Sequence, residues 1–207
     1  MAIEPMINRI RKSFASAEIC KHGGKVQEAA SILGAEPVDF SANINPLGFP
    51  PLEKLLLEEL KKIGHYPDNS YLGFRRAAAK FVNVDENCIV PGNGSSELIR
   101  LYAEACLEVG DVALVPSPSF GEYSNQSRLS GGTVKKVNIC DDGLPEVSDS
   151  LLKDAKLLFL CNPNNPTGRL LGFGQVADLA ERCERAETFL LVDEAFIELS
   201  DPKESVA

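Results

Sequence analysis

Two polar groups that follow apolar runs are the places where this sequence can do chemistry. In Lys156–Gly168, KLLFLCNPNNPTG, the run Leu157–Cys161 gives way to three asparagines, two prolines and a glycine. In Thr188–Ile197, TFLLVDEAFI, a second apolar run ends on Asp193. An amide such as Asn165 can hydrogen-bond a phenolate oxygen, and a carboxylate such as Asp193 favours the protonated form of a pyridine-type nitrogen by opposite charge. Upstream, Gly92-Asn-Gly-Ser-Ser96 precedes a helical stretch. Gly94, Ser95 and Ser96 thereby offer N–H groups and hydroxyls to an anion at the positive end of a helix dipole. Phe120, which follows Pro116-Ser-Pro-Ser119, can stack on a flat ring. Each has a plainer reading beside it: a tight turn at 162–168, a solvated carboxylate at Asp193, an N-cap at Ser95, a packing aromatic at Phe120.

Other chemistries lack their residues. The last glycine of G-x-G-x-x-G falls on Glu97, and no Gly-Lys-Ser/Thr follows the glycines as in a P-loop. Only two histidines, His22 and His65, are present, so a histidine-rich metal site cannot be built. The six cysteines (Cys20, Cys88, Cys106, Cys140, Cys161 and Cys183) are scattered without a Cys-x-x-Cys, which reads as reduced thiols rather than zinc ligands or a redox pair.

The elements that must position these groups alternate. An unbroken apolar run suits a strand buried on both faces of a parallel sheet, and the Pro/Asn/Gly turn after it ends regular structure at the strand's carboxyl end, where open α/β sheets bind ligands. Strands are expected at Val112–Val115, Thr133–Ile139, Leu157–Cys161 and Phe189–Val192, with a very short one at Cys88–Pro91. Helices are expected at Glu97–Val109, Phe120–Leu129, Val147–Asp154 and Gln175–Ala186 between them. Before these come helices at Lys25–Leu33, stopped by Gly34, at Leu52–Ile63 and at Tyr71–Val82, and a weakly amphipathic segment at Met6–Phe14. The order implies an α/β fold: a mainly parallel sheet with helices on both faces.

Length and composition agree with one large soluble unit. The chain has 207 residues, 44% hydrophobic and 25% charged, enough to bury a real core. A net charge of −9 argues against a nucleic-acid partner, so any phosphate must be gripped locally. No apolar run approaches the roughly 18 residues that span a bilayer. Met1–Phe14 carries charges where a signal peptide has its apolar core. The expected location is cytoplasmic, without membrane contact.

Strand, NPNNPTG, amphipathic helix, strand and DEAF in that order resemble the core of the fold-type I pyridoxal-phosphate (PLP) enzymes. Within them the chain resembles the histidinol-phosphate aminotransferase group, and most of all its threonine-phosphate decarboxylases of cobalamin biosynthesis. The segments that carry the resemblance are His22-Gly-Gly24, Asp39-Phe-Ser-Ala-Asn-Ile-Asn-Pro-Leu-Gly48, Tyr66-Pro-Asp68, Gly92–Glu97 and Asp193-Glu-Ala-Phe196. The resemblance implies that Gly94, Ser95 and Ser96 hold the cofactor phosphate, Phe120 stacks on the ring, Asn165 binds the ring oxygen, and Asp193, the catalytic carboxylate, pairs with the ring nitrogen. It implies that Tyr66 reaches the cofactor phosphate of a neighbouring subunit in a homodimer. His22, Gly23 and Asn43 would cover a small phosphorylated amino-acid substrate. Residues 1–50 become an arm and substrate-covering segment, and 51–207 a PLP-binding large domain. Phe196 stands where the related aminotransferases usually carry a tyrosine, which favours decarboxylation over transamination.

The same resemblance expects a coenzyme-binding lysine a few tens of residues beyond Asp193, later arginines for the substrate, and a small C-terminal domain. Fourteen residues follow Asp193, and their one lysine, Lys203, lacks that spacing. Three readings stay open: part of a threonine-phosphate decarboxylase, part of a histidinol-phosphate aminotransferase, or a noncatalytic remnant or split subunit that binds coenzyme or a partner chain.

Overall fold

The computed structural model describes residues 10–15, 23–45 and 47–207. Of these, 23–45, 47–81 and 85–89 form one compact unit, and 10–15, 82–84 and 90–207 form another.

In the first unit, helix α2 (Val26–Leu33) ends at Gly34 in the left-handed conformation, φ 66°, as the expected C′ glycine. Helix α3 (Glu53–Glu59) tightens into a 3₁₀ turn over Leu60–Lys62. Helix α4 (Leu72–Val82) follows, and its Arg75 donates through Nε and an Nη to the Glu86 carbonyl at 3.0 and 2.8 Å. That carbonyl belongs to a 3₁₀ turn, Glu86–Cys88, capped by Asp85, whose Oδ1 accepts from the Asn87 N–H at 2.8 Å. The short strand expected at Cys88–Pro91 is therefore absent: the Asp85 cap coils the chain through Cys88, and 89–91 pair with no strand among the described residues.

The second unit carries the sheet. A short helix α1 (Lys12–Ala15) lies against the helix Gly121–Leu129, with Arg11 and Ser13 donating to the Leu129 carbonyl. In chain order follow α5 (Ser95–Cys106), β1 (Val112–Ser117), α6 (Gly121–Leu129), β2 (Thr133–Asn138), α7 (Asp149–Lys153), β3 (Leu157–Cys161), α8 (Phe173–Arg185) and β4 (Phe189–Asp193). All four strands are parallel, in the order β2-β1-β3-β4.

Side-chain alternation divides the core in two. Ala113, Val115, Leu157 and Phe159 face Ile99 and Ala103 of α5 and Tyr123 of α6. Leu114, Leu158 and Leu160 face Leu152 of α7 and Val176, Leu179 and Cys183 of α8. Every residue of β3 is buried, as its unbroken apolar run requires, whereas the edge strand β2 exposes Lys135 and Lys136. Among the described residues no helix is long and apolar enough to cross a membrane.

Topology decides where a ligand can enter. From β1 the chain runs outward to β2 through α6; from β3 it runs the other way to β4 through α8. Right-handed crossovers in opposite directions place their helices on opposite faces, and the two cores have that arrangement. The crossovers diverge between β1 and β3, so a crevice opens at the carboxyl ends of those strands.

Candidate functional site

The strand ends at this crevice are level. Ser117 pairs with Asn138, Cys161 pairs with Asp193, and the β1/β3 register, Leu114 with Leu158, carried on three residues brings Ser117 opposite Cys161. The loops that leave β1 and β3 are pinned to each other by Asn164. Its Oδ1 accepts from Ser119 Oγ at 2.9 Å, and its Nδ2 donates to the Pro118 carbonyl at 3.1 Å and to Thr167 Oγ1 at 2.9 Å. Asn162 closes the base of the second loop by a reciprocal pair: its Nδ2 donates to the Leu171 carbonyl at 3.1 Å, and the Leu171 N–H donates to its Oδ1 at 2.8 Å. Ser117–Pro118, Asn162–Pro163 and Asn165–Pro166 are cis.

Asp193 points to the α5/α6 side, because residues 189, 191 and 193 share one face of β4 and Leu191 packs in that core. Its Oδ2 accepts from the Tyr123 hydroxyl at 2.8 Å, and its Oδ1 from the Ala195 N–H at 3.1 Å. Tyr123 is fully buried. Its ring stacks on Phe159 (centroids 5.0 Å, planes 16° apart) and meets Phe120 edge-on at 5.7 Å. Burial, reinforced by Cys161 and Asp193, pushes the Tyr123 phenol far above its ordinary range, so it is a permanent donor.

Asn165 is half-buried and is held through its backbone, whose N–H donates to Cys161 Sγ at 3.4 Å; the same thiol donates to the Pro163 carbonyl at 3.3 Å. Burial raises the Cys161 pKa, keeping the thiol neutral. Cys161 belongs to the α5/α6-side core with Tyr123 and Phe159, so the turn carrying Asn165 is anchored on the face to which Asp193 points.

Helix α5 delivers the serines to the same edge. Leu107, the residue that caps its C-terminus, packs beside Gly132, next to the first residue of β2, so the helix runs antiparallel to the strands. Tyr102 meets Phe189 at the start of β4 with ring centroids 6.3 Å apart. Seven helical residues back from Tyr102 is about 10 Å, and four strand residues on from Phe189 is about 13 Å. Ser95 and Asp193 thus end at comparable height. Gly94, at φ 84° and ψ 168°, occupies a region open to glycine, and the helix starts directly after it, so the Ser95 and Ser96 N–H groups belong to the first turn, which has no intrahelical acceptor. Ser95 and Ser96 are exposed, and the plain serine N-cap is not what forms: the cap residue is Gly94. Glu97 folds back so that Oε2 accepts from the Asn93 N–H at 2.6 Å and Asn93 Nδ2 at 3.0 Å, which lowers its pKa.

The remaining predicted residues lie in the other unit. Gly23 is pressed on the Ser41 carbonyl, where a Cβ would sit 1.8 Å away, so only glycine fits. Asn43 is exposed in the stretch that follows. Tyr66 is fully exposed and lines a cavity of about 980 Å³ with Leu56, Leu60, Ile63 and His65. His22 lies outside the described residues. Tyr123 and Asn164 were missed in the sequence; their only signals were the spacing of Tyr123 one helical turn after Phe120 and the density of asparagines in one turn.

The donor set suits a flat, cationic heteroaromatic ring with an anionic arm: a carboxylate fixed at one end, the half-buried Phe120 ring beside it, and at the same edge a first helical turn that no side chain caps among the described residues. Known proteins agree. The family model for aminotransferases of class I and II matches residues 35–206. The chain belongs to this family. Pyridoxal phosphate is the family's cofactor. Threonine-phosphate decarboxylase of Salmonella typhimurium is 36% identical over 185 residues, 86% of this chain and 50% of the relative. Histidinol-phosphate aminotransferase of Ruminiclostridium cellulolyticum is 33% identical over 175 residues, 79% of this chain and 48% of the relative. In structure, histidinol-phosphate aminotransferase from Sinorhizobium meliloti in complex with pyridoxal 5'-phosphate has a TM-score of 0.80 at 20% identity, covering 95% of this chain and 53% of that one. The parallel sheet with helices on both faces is thus a fold-type I aminotransferase architecture, and the chain spans about half the length of the curated relatives it matches.

Proposed function

We propose that these 207 residues provide the PLP-binding part of an enzyme that decarboxylates L-threonine O-3-phosphate to aminopropanol phosphate for cobalamin synthesis. The observation that carries the cofactor reading is the Asp193 carboxylate, held at 2.8 Å by the buried Tyr123 hydroxyl at the carboxyl end of β4, the strand next to the crevice between β1 and β3. Bound PLP supplies an electron sink for the pair released when a bond at the substrate's α-carbon breaks. Asp193 would keep the ring nitrogen protonated, and Phe120 would cover one ring face. Asn165 would donate to the ring oxygen, and Gly94, Ser95 and Ser96 would bind the phosphate. Gly23, Asn43 and His22 would lie over the substrate, within an arm and covering segment formed by residues 1–50 in front of the large domain, 51–207. Tyr66 would complete the phosphate site of a second subunit in a cytoplasmic homodimer.

The 36% identity to the Salmonella decarboxylase supports this reading, while an aminotransferase relative reaches 35% over the same length, so identity alone does not choose between them. Phe196 supports the decarboxylase, since that side chain offers no hydroxyl to the ring oxygen. The 33% identity to a histidinol-phosphate aminotransferase favours transamination as the second reading. Both are tested on the protein carrying these residues, saturated with PLP. Release of CO₂ from threonine phosphate, with no glutamate from histidinol phosphate and 2-oxoglutarate, is the expected result. Glutamate formation without CO₂ release overturns it in favour of the aminotransferase.

A further inference from the structure

A phenylalanine would fill the space of the Tyr123 ring, since the ring is wholly enclosed and stacked on Phe159 at 5.0 Å. The hydroxyl is the extra feature, and a buried hydroxyl needs an acceptor. Its acceptor is the Asp193 carboxylate, 70 residues away in sequence. Asp193 ends β4, where it pairs with Cys161 of β3; strand pairing sets its backbone, and the rotation of the carboxylate is set by what its two oxygens bond to. The Ala195 N–H at 3.1 Å holds Oδ1, and the Tyr123 hydroxyl holds Oδ2. The phenol is itself immobile. Phe159 and Phe120 hold its ring from the face and the edge, and Ser127 Oγ donates to the Tyr123 carbonyl at 2.7 Å.

We propose that Tyr123 is a positioning residue for Asp193, its hydroxyl fixing the carboxylate that pairs with the ring nitrogen of the coenzyme. This rests on the PLP reading above and deepens it. A packing role alone acts on any ligand of the same shape; a role through Asp193 acts only on a ligand that has the ring nitrogen.

The experiment is equilibrium dialysis of the protein carrying these residues against PLP and against its 1-deaza analogue, in which carbon replaces that nitrogen. The wild type is expected to prefer PLP. Tyr123→Phe is expected to lower that preference about tenfold, the size expected for losing a hydrogen bond to a charged group, while binding of the deaza analogue stays within about twofold. Added to Asp193→Asn, Tyr123→Phe should have no further effect on the preference. Far-UV circular dichroism establishes that each variant is folded, and Tyr123→Leu, which also lacks the hydroxyl, replaces Tyr123→Phe if that variant does not fold. An equal loss for both ligands, an unchanged preference, or an effect that persists in the Asp193→Asn background overturns the proposal and leaves the cofactor reading standing. A wild type that binds neither ligand, or both equally, overturns the cofactor reading and the proposal with it.

Discussion

Replacing Asn164 with alanine should loosen the crevice at its hinge, whereas the same change at its neighbour Asn165 should scarcely touch the fold. Asn164 is 8% exposed and makes three side-chain hydrogen bonds: those to Ser119 and Pro118 tie the β3 loop to the β1 loop, and the one to Thr167 braces its own loop. A hydrogen bond of this kind contributes about 0.5–1.5 kcal/mol net. Pro118 and Thr167 are exposed and Ser119 is half-buried, so water can serve the groups left behind and the loss lies below the upper sum. Asn164→Ala should therefore lower unfolding stability by about 2 kcal/mol. Asn165 is held by its backbone N–H, which alanine retains, and Asn165→Ala should stay within about 0.5 kcal/mol of wild type while weakening PLP binding. Urea titration followed by circular dichroism, at constant m, gives both numbers. If Asn164→Ala is as stable as wild type, or Asn165→Ala is the more damaging of the two, the two loops are not joined in the way described.

Gly94→Ala forces a side chain into a backbone region at φ 84° and ψ 168°. It should cost about 1–3 kcal/mol in urea titration and lower affinity for pyridoxal phosphate more than for pyridoxal; equal loss for both would remove the helix start from the phosphate site. The Tyr123 phenol gives a pH test. Burial raises its folded pKa above the unfolded value near 10, so its contribution is complete below about pH 10 and is lost above it, at up to about 1.4 kcal/mol per pH unit. Tyr123→Phe should make the alkaline limb of stability against pH shallower by that amount, and an unchanged limb would contradict the burial of the hydroxyl. Cys183 is buried and pushed up to about 11, while Cys88 and Cys140 are exposed. Iodoacetamide at pH 8, read by peptide mass mapping, should label Cys88 and Cys140 in the folded chain and Cys183 only after unfolding; labelling of Cys183 at the rate of Cys88 would place α8 wrongly.

How far the sequence could be read depended on whether the determining interaction was local. Strand β3 coincides with the apolar run Leu157–Cys161 because burial on both faces leaves no polar residue within it, and the turn that follows stops it sharply. Helix α5 begins at Ser95, two residues before the expected Glu97, because the positive φ of Gly94 lets the helix start directly after it. The expected strand at Cys88–Pro91 failed because its apolar letters were outweighed by the Asp85 cap and by the claim of Arg75 on the Glu86 carbonyl, a contact across 11 residues. Among the three asparagines of the 162–168 turn, sequence alone could not tell which serve the backbone. Asn162 and Asn164 turn inward as staples, and Asn165 is the one left half-exposed.

The candidate site depends on register in a way that no single segment reveals. Asp193 faces the aromatic cluster only because Cys161 is its partner across the β3/β4 pair; a slip of one residue would turn every side chain of β4 over and send the carboxylate to the α8 face. The register is held by the alternation itself, since Leu191 packs in the α5/α6 core while Leu190 and Val192 pack in the other. The hydrophobic pattern of β4 therefore aims a carboxylate that takes no part in the core. The hydrogen bond from Tyr123 then finishes at the level of one side chain what strand pairing sets at the level of the backbone.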